Sequence, residues 1–67
     1  MENVSGYTVN LTADDNGTLL VTCPALPEVS TFGHSREEAL RRATAAIEEA
    51  IAARIADGQP VPPTQHG

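Results

Sequence analysis

Tyr7, Val9, Leu11 and Ala13 alternate with Thr8, Asn10 and Thr12. A period of two puts the apolar set on one side of an extended chain, so residues 7–13 are predicted to form a strand with one buried face. Thr18–Cys23 repeats the pattern, with Leu19, Val21 and Cys23 on one face. Between the two lies Asp14-Asp15-Asn16-Gly17, a run of turn formers. The register follows from the apolar rows. A two-residue Asn16-Gly17 loop would set Leu11 opposite Thr22 and put the rows on opposite faces. A three-residue loop, Asp15-Asn16-Gly17, pairs Asp14 with Thr18, sets Leu11 opposite Val21 and puts both rows on one face. The longer loop is expected, because a slip by one residue would expose the whole row. It also ends on a left-handed residue, which Gly17 supplies without steric cost.

Pro24-Ala25-Leu26-Pro27 follows. Proline cannot donate to a ladder, so this stretch reads as a rigid connection. Val29–Phe32 is β-branched and aromatic, a short third strand that Gly33 ends. Ser35-Arg36-Glu37-Glu38 is a capping box, in which the Ser35 hydroxyl accepts from the Glu38 amide and the Glu38 side chain reaches back to the Ser35 amide. Leu40, Ala43, Ile47, Ala50, Ile51 and Ile55 make one stripe at helical spacing. Alanines 39, 43, 45, 46, 50, 52 and 53 raise helix propensity. Glu37–Arg41 and Glu38–Arg42 are i,i+4 pairs in the favoured orientation. Gly58 stops the helix and Pro60 lies just beyond, so the helix is expected over 36–57. Two units are expected: residues 1–58, a β-β-β-α domain, and residues 59–67, a proline-rich C-terminal tail, extended or disordered.

Composition changes this picture in one respect. At 67 residues the chain is a single domain, and one core of this size rarely supplies more than about 3–5 kcal/mol. Small domains lean on disulfides, a metal or a partner. Cys23 is the only cysteine, and Cys23, His34 and His66 are not at zinc-ligand spacing. A partner chain remains, so a homodimer or a higher even oligomer is expected, through a strand edge or the helix. The polar sheet face Thr8, Asn10, Thr12 and Thr22 is interrupted by Leu20, and Ala45, Ala46, Ala52 and Ala53 form a small-residue flank of the helix.

The charge is −5, from nine acids and four arginines. Residues 1–35 hold Glu2, Asp14, Asp15 and Glu28 and no arginine or lysine, which is −4. Nucleic-acid binding needs a basic footprint, and this half has none. An acidic half suits a basic protein partner. No apolar run approaches the roughly 20 residues of a membrane span, and no signal peptide is visible. A single thiol fits a reducing cytoplasm.

Catalytic groups do not converge. Asp14 and Asp15 read as turn residues and Glu28 as a solvated loop charge, while His34 precedes the cap and His66 lies in the tail. Cys23 shares the face of Leu19 and Val21, which makes it a buried thiol. No phosphate loop or nucleophile elbow occurs. No cofactor is implied, and the chain is expected not to be an enzyme.

The order of these pieces is similar to a known family. Tyr7-Thr8-Val9, the Asp14–Gly17 hairpin, Val21-Thr22-Cys23-Pro24-Ala25-Leu26-Pro27, Ser30–Ser35, Glu37-Glu38-Ala39-Leu40 and Asp57-Gly58-Gln59-Pro60-Val61-Pro62 resemble, in order and spacing, the HicB family of type II antitoxins in its short, UPF0150-like form. The resemblance covers about residues 6–63. Glu28 stands where that family usually has glycine. The resemblance implies an α+β fold: an antiparallel three-stranded sheet covered on one face by one long helix, a degraded RNase H-like core. Val61–Thr64 supplies at most a weak fourth strand after the helix. It also implies an antitoxin that binds and occludes a small basic HicA-like ribonuclease. Asp14, Asp15 and Glu28 are expected to supply charge, and Pro24, Leu26 and Pro27 a rigid contact loop. Longer relatives carry a C-terminal DNA-binding module that this sequence does not show, so no nucleic-acid binding is expected from it. The competing readings are a stand-alone dimerisation or adaptor module and a residual nuclease.

Overall fold

The computed structural model describes residues 2–64. Strand β1 (Glu2–Val4), β2 (Tyr7–Ala13), β3 (Leu19–Thr22) and β4 (Ser30–Gly33) form one antiparallel sheet in the order β1-β2-β3-β4, and helix α1 (Arg36–Ala56) follows. The expected α+β architecture is present. The β2–β3 register is the one the apolar rows demanded, with Leu11 opposite Val21. The Asp14 amide donates to the Thr18 carbonyl at 2.8 Å, and Gly17 has φ +78°, which closes the three-residue loop.

The sheet has a strand that alternation did not reveal. β1 pairs with β2 through the Ser5-Gly6 turn, with Val4 opposite Tyr7. Ser5 and Gly6 both have positive φ, 52° and 88°, the conformation of a two-residue hairpin whose twist matches its strands. Only Val4 of this strand is buried, so the segment is too short and polar to show a period of two. The fourth strand is therefore N-terminal and does not come from Val61–Thr64. Residues 59–64 form no strand, since Pro60, Pro62 and Pro63 lack the amide that a ladder needs.

That stretch is nevertheless tied down. The Tyr7 hydroxyl donates to the Pro62 carbonyl at 2.6 Å, and Arg54 Nη1 donates to the Pro60 carbonyl at 3.0 Å. The remainder of the expected tail, with His66, lies outside the described residues.

One face of the sheet is covered by α1. Val4, Tyr7, Val9, Val21, Cys23, Leu26 and Val29 meet Ala39, Ala43, Ile47 and Ala50 in a single core. The helix is turned relative to the expected stripe: Ala39 is buried, Leu40 and Ile51 are half-buried, and Ile55 is 66% exposed. Gly33 accounts for the turn at the N-terminal end. A Cβ there would lie 2.4 Å from the Ala39 nitrogen, so β4 and α1 touch backbone to backbone and only glycine fits between them. At the other end Arg54 points toward Glu28 and leaves Ile55 in solvent.

The caps follow the sequence with one change. The Ser35 hydroxyl accepts from the Glu38 amide at 3.1 Å, while the Glu38 carboxylate accepts from the His34 amide, at 3.0 Å, and not from that of Ser35. At the C-terminus Gln59 donates to the Arg54 carbonyl and Gly58 to that of Ile55, the paired bonds of a Schellman motif.

Candidate partner-binding surface

The six residues expected to meet a partner fall at two ends of β3. Asp14 and Asp15 sit at the β2–β3 hairpin. Pro24, Leu26, Pro27 and Glu28 sit in the connection to β4. Six peptide steps, from Thr18 to Pro24, span roughly 20 Å at about 3.3 Å each.

The connection is two consecutive turns. The Leu26 amide donates to the Cys23 carbonyl at 3.1 Å, and the Val29 amide to that of Leu26 at 2.9 Å. Pro24 and Pro27 each follow the first residue of a turn, where a fixed φ is an advantage. The double turn drives Leu26 into the core with no exposed surface. Leu26 thus holds the loop from within and offers no side chain to a partner, contrary to the expectation from sequence. Pro24 and Pro27 remain exposed.

Glu28 is also engaged. Its carboxylate accepts two bonds from Arg54, Nε to Oε2 at 2.7 Å and Nη2 to Oε1 at 2.9 Å. That fork, helped by a backbone hydrogen bond, lowers the Glu28 pKa to about 2 and raises that of Arg54. Glu2 is held below its ordinary pKa by a hydrogen bond from Arg36. Glu38 is lowered first by the His34 amide and then by Arg42, 3.7 Å away. Glu37 and Arg41, expected to pair, make no ion pair among the described residues. Of the four acids in the first half of the chain, Glu2 and Glu28 are thus matched by helix arginines. Asp14 and Asp15 have no such match: Asp14 Oδ1 accepts from the Asn16 amide at 2.7 Å, a bond internal to the turn.

The sheet face away from α1 carries Asn10, Thr12, Leu20, Thr22, Ser30 and Phe32. Leu20 and Phe32 are opposite one another across β3 and β4 and are 41% and 50% exposed. Leu20 is legible in the sequence as a break in a polar face. The sequence does not indicate that Phe32 joins it, because that depends on the β3–β4 register. With Thr12, Asp14 and Thr18 they line an open recess of about 370 Å³. Arg42 stacks over the Phe32 ring at 5.6 Å, and the His34 ring lies 6.5 Å away. A second groove of about 280 Å³ runs between the end of α1 and the start of β4, lined by Glu28, Val29, Ser30, Ala46, Glu49, Ala50 and Ala53.

Among the described residues no cluster of three His, Cys, Asp or Glu side chains could hold a metal ion. Cys23 is buried and free. No helix among the described residues is long and apolar enough to cross a membrane.

A search of curated proteins finds no match to the chain. A family model described as the HicB_like antitoxin of bacterial toxin-antitoxin system matches residues 6–66. The match runs from the β1–β2 turn through α1 and beyond it, so the chain belongs to the HicB-like antitoxin family.

Proposed function

We propose that this chain neutralises a small basic HicA-like mRNA-cleaving toxin by binding over its RNA-facing surface, without catalysis of its own. The observation that carries this is the pairing of an uncovered sheet face with two acids, Asp14 and Asp15, that pair with no arginine among the described residues. A surface built to hold RNA phosphates is positive, and opposite fields speed encounter and set orientation. A standard interface takes about 800 Å² from each partner. That is broad enough to reach from Asp14 and Asp15, across Leu20 and Phe32, to Pro24 and Pro27. Glu28 acts through Arg54 to hold the loop, and Leu26 anchors it. The setting is cytoplasmic, where such a toxin meets mRNA.

Self-association belongs to the same reading. β4 is an edge strand of four residues without proline or charge, which leaves its outer backbone groups open to pairing. A homodimer through β4 is expected, detectable by sedimentation at micromolar concentration; a monomer there would remove it.

Co-expression tests the function. Cells making the HicA-like toxin of the same operon should survive when this chain is made with it, and the two should co-purify at low salt. Reversing Asp14 and Asp15 to lysine should weaken capture. Survival without this chain, or no complex at low salt, would overturn the reading. A dimer that neither binds nor protects would leave the stand-alone dimerisation module.

A further inference from the structure

The recess on the uncovered face has two chemically distinct halves. Its floor is Leu20 and Phe32, paired across the strands. Its rim is Asp14 with the hydroxyl-bearing Thr12 and Thr18. One Asp14 oxygen is used by the Asn16 amide, which leaves the other lone pairs of the carboxylate to accept from outside. Asp15, next in the turn, adds a second negative charge.

An apolar floor ending at a carboxylate suits one kind of side chain: a long apolar stem with a cationic head. Lysine and arginine are built this way and bury the stem while the head stays hydrated or paired. The chain supplies an internal example, since Arg42 already lies 5.6 Å from the Phe32 ring centroid. Arg42 is balanced by Glu38, so its charge does not dominate the recess. A purely apolar occupant would leave the second Asp14 oxygen facing it without a donor, which costs desolvation.

We propose that this recess, floored by Leu20 and Phe32 and closed by Asp14, receives an arginine or lysine side chain of the toxin. The inference rests on the antitoxin reading above. It adds that one cationic side chain, seated in this recess, is the anchor of that contact. Hydrophobic contact with the stem supplies residence time, and Asp14 and Asp15 supply orientation and on-rate.

The test measures affinity of the HicA-like toxin of the same operon for the wild-type chain and three double variants, each first checked for a native circular dichroism spectrum. Leu20→Ser with Phe32→Ser should raise Kd tenfold or more at every salt concentration. Asp14→Asn with Asp15→Asn should raise it three- to tenfold at low salt and hardly at all at high salt, where the wild type loses the same advantage. Glu48→Gln with Glu49→Gln removes equal charge from the helix and should leave Kd within twofold. Failure of the wild type to bind would overturn the antitoxin reading itself. A wild type that binds, with recess variants that bind equally well, would overturn only this inference. So would recess variants that lose self-association and keep toxin affinity, since the face would then serve a second copy of the chain. Equal losses from the recess acids and the helix acids would reduce the effect to net charge and overturn the anchor.

Discussion

The two faces of the sheet are made from neighbouring residues of the same strands, yet they differ in kind. On the covered face Val9 and Val21 have no exposed surface and, together with Leu26 of the β3–β4 connection, share a core with Ala39, Ala43 and Ile47 of the helix. On the other face Leu20 and Phe32, one residue along from Val21 and Gly33, are about half exposed. The core is one layer thick and its helix side is mostly alanine. Among the described residues α1 covers one face, and the other is open. Under the proposed function, the pleat separates stability from recognition.

The strongest way to break that division is to hollow the covered face. Leu26→Ala removes a fully buried side chain and should cost about 2–5 kcal/mol, comparable to the whole stability of a domain this small. Urea unfolding should show the isolated chain largely unfolded or close to it. A loss under 1 kcal/mol would mean that the double turn, and not its leucine, holds the loop. Next comes Gly33→Ala. The added Cβ would strike the backbone of Ala39, which cannot give way like a side chain, so about 1–3 kcal/mol should be lost. An unchanged urea midpoint would show that the helix can lift from β4 at little cost.

Much of this division is legible in the sequence, and the reasons are local. Alternation in 7–13 and 18–23, with the Asp14–Gly17 turn, is enough to set the β2–β3 register, because only one loop length puts both apolar rows together. The capping box marks the helix start. What the sequence does not show depends on partners distant along the chain. β1 is too short for alternation and is recognisable only through its Ser5-Gly6 turn. The rotation of α1 follows from the contact at Gly33, which hydrophobic spacing cannot report. Leu26 looks like part of an exposed proline loop until both turns are seen to close on it. Glu28 looks like a free acid until Arg54, 26 residues on, is seen to fork onto it.

A smaller effect sharpens the contrast from the open side. Phe32→Ser removes a half-exposed ring, its pairing with Leu20 and its contact with Arg42. A cross-strand pair and an exposed cation–π contact are each worth under about 1 kcal/mol, so stability should fall by about 1 kcal/mol while toxin binding falls much further. A stability loss as large as that of Leu26→Ala would mean that the open face also serves as core.

The smallest effect is one of pH, and it concerns the rim where the faces meet. The Glu28 carboxylate has a pKa of about 2 in the folded chain, against an ordinary 4.5, because Arg54 holds it ionised. A lowered folded pKa means that the unfolded chain binds the proton more readily. The pair therefore contributes fully above about pH 4.5, and its contribution fades as the pH falls toward 2. Glu2 and Glu38 are lowered too, so the wild type should lose stability in acid through several groups. Glu28→Gln should reduce that acid dependence without abolishing it, and should lower the melting temperature at neutral pH more than at pH 2. Because Arg54 also binds the Pro60 carbonyl, Arg54→Lys should not restore the behaviour: an ammonium cannot present the same fork to a carboxylate and reach the carbonyl as well. Parallel melting curves for wild type and Glu28→Gln from pH 2 to 6 would show that the pair is solvated in solution, and that the Pro24–Glu28 loop is held by Leu26 alone.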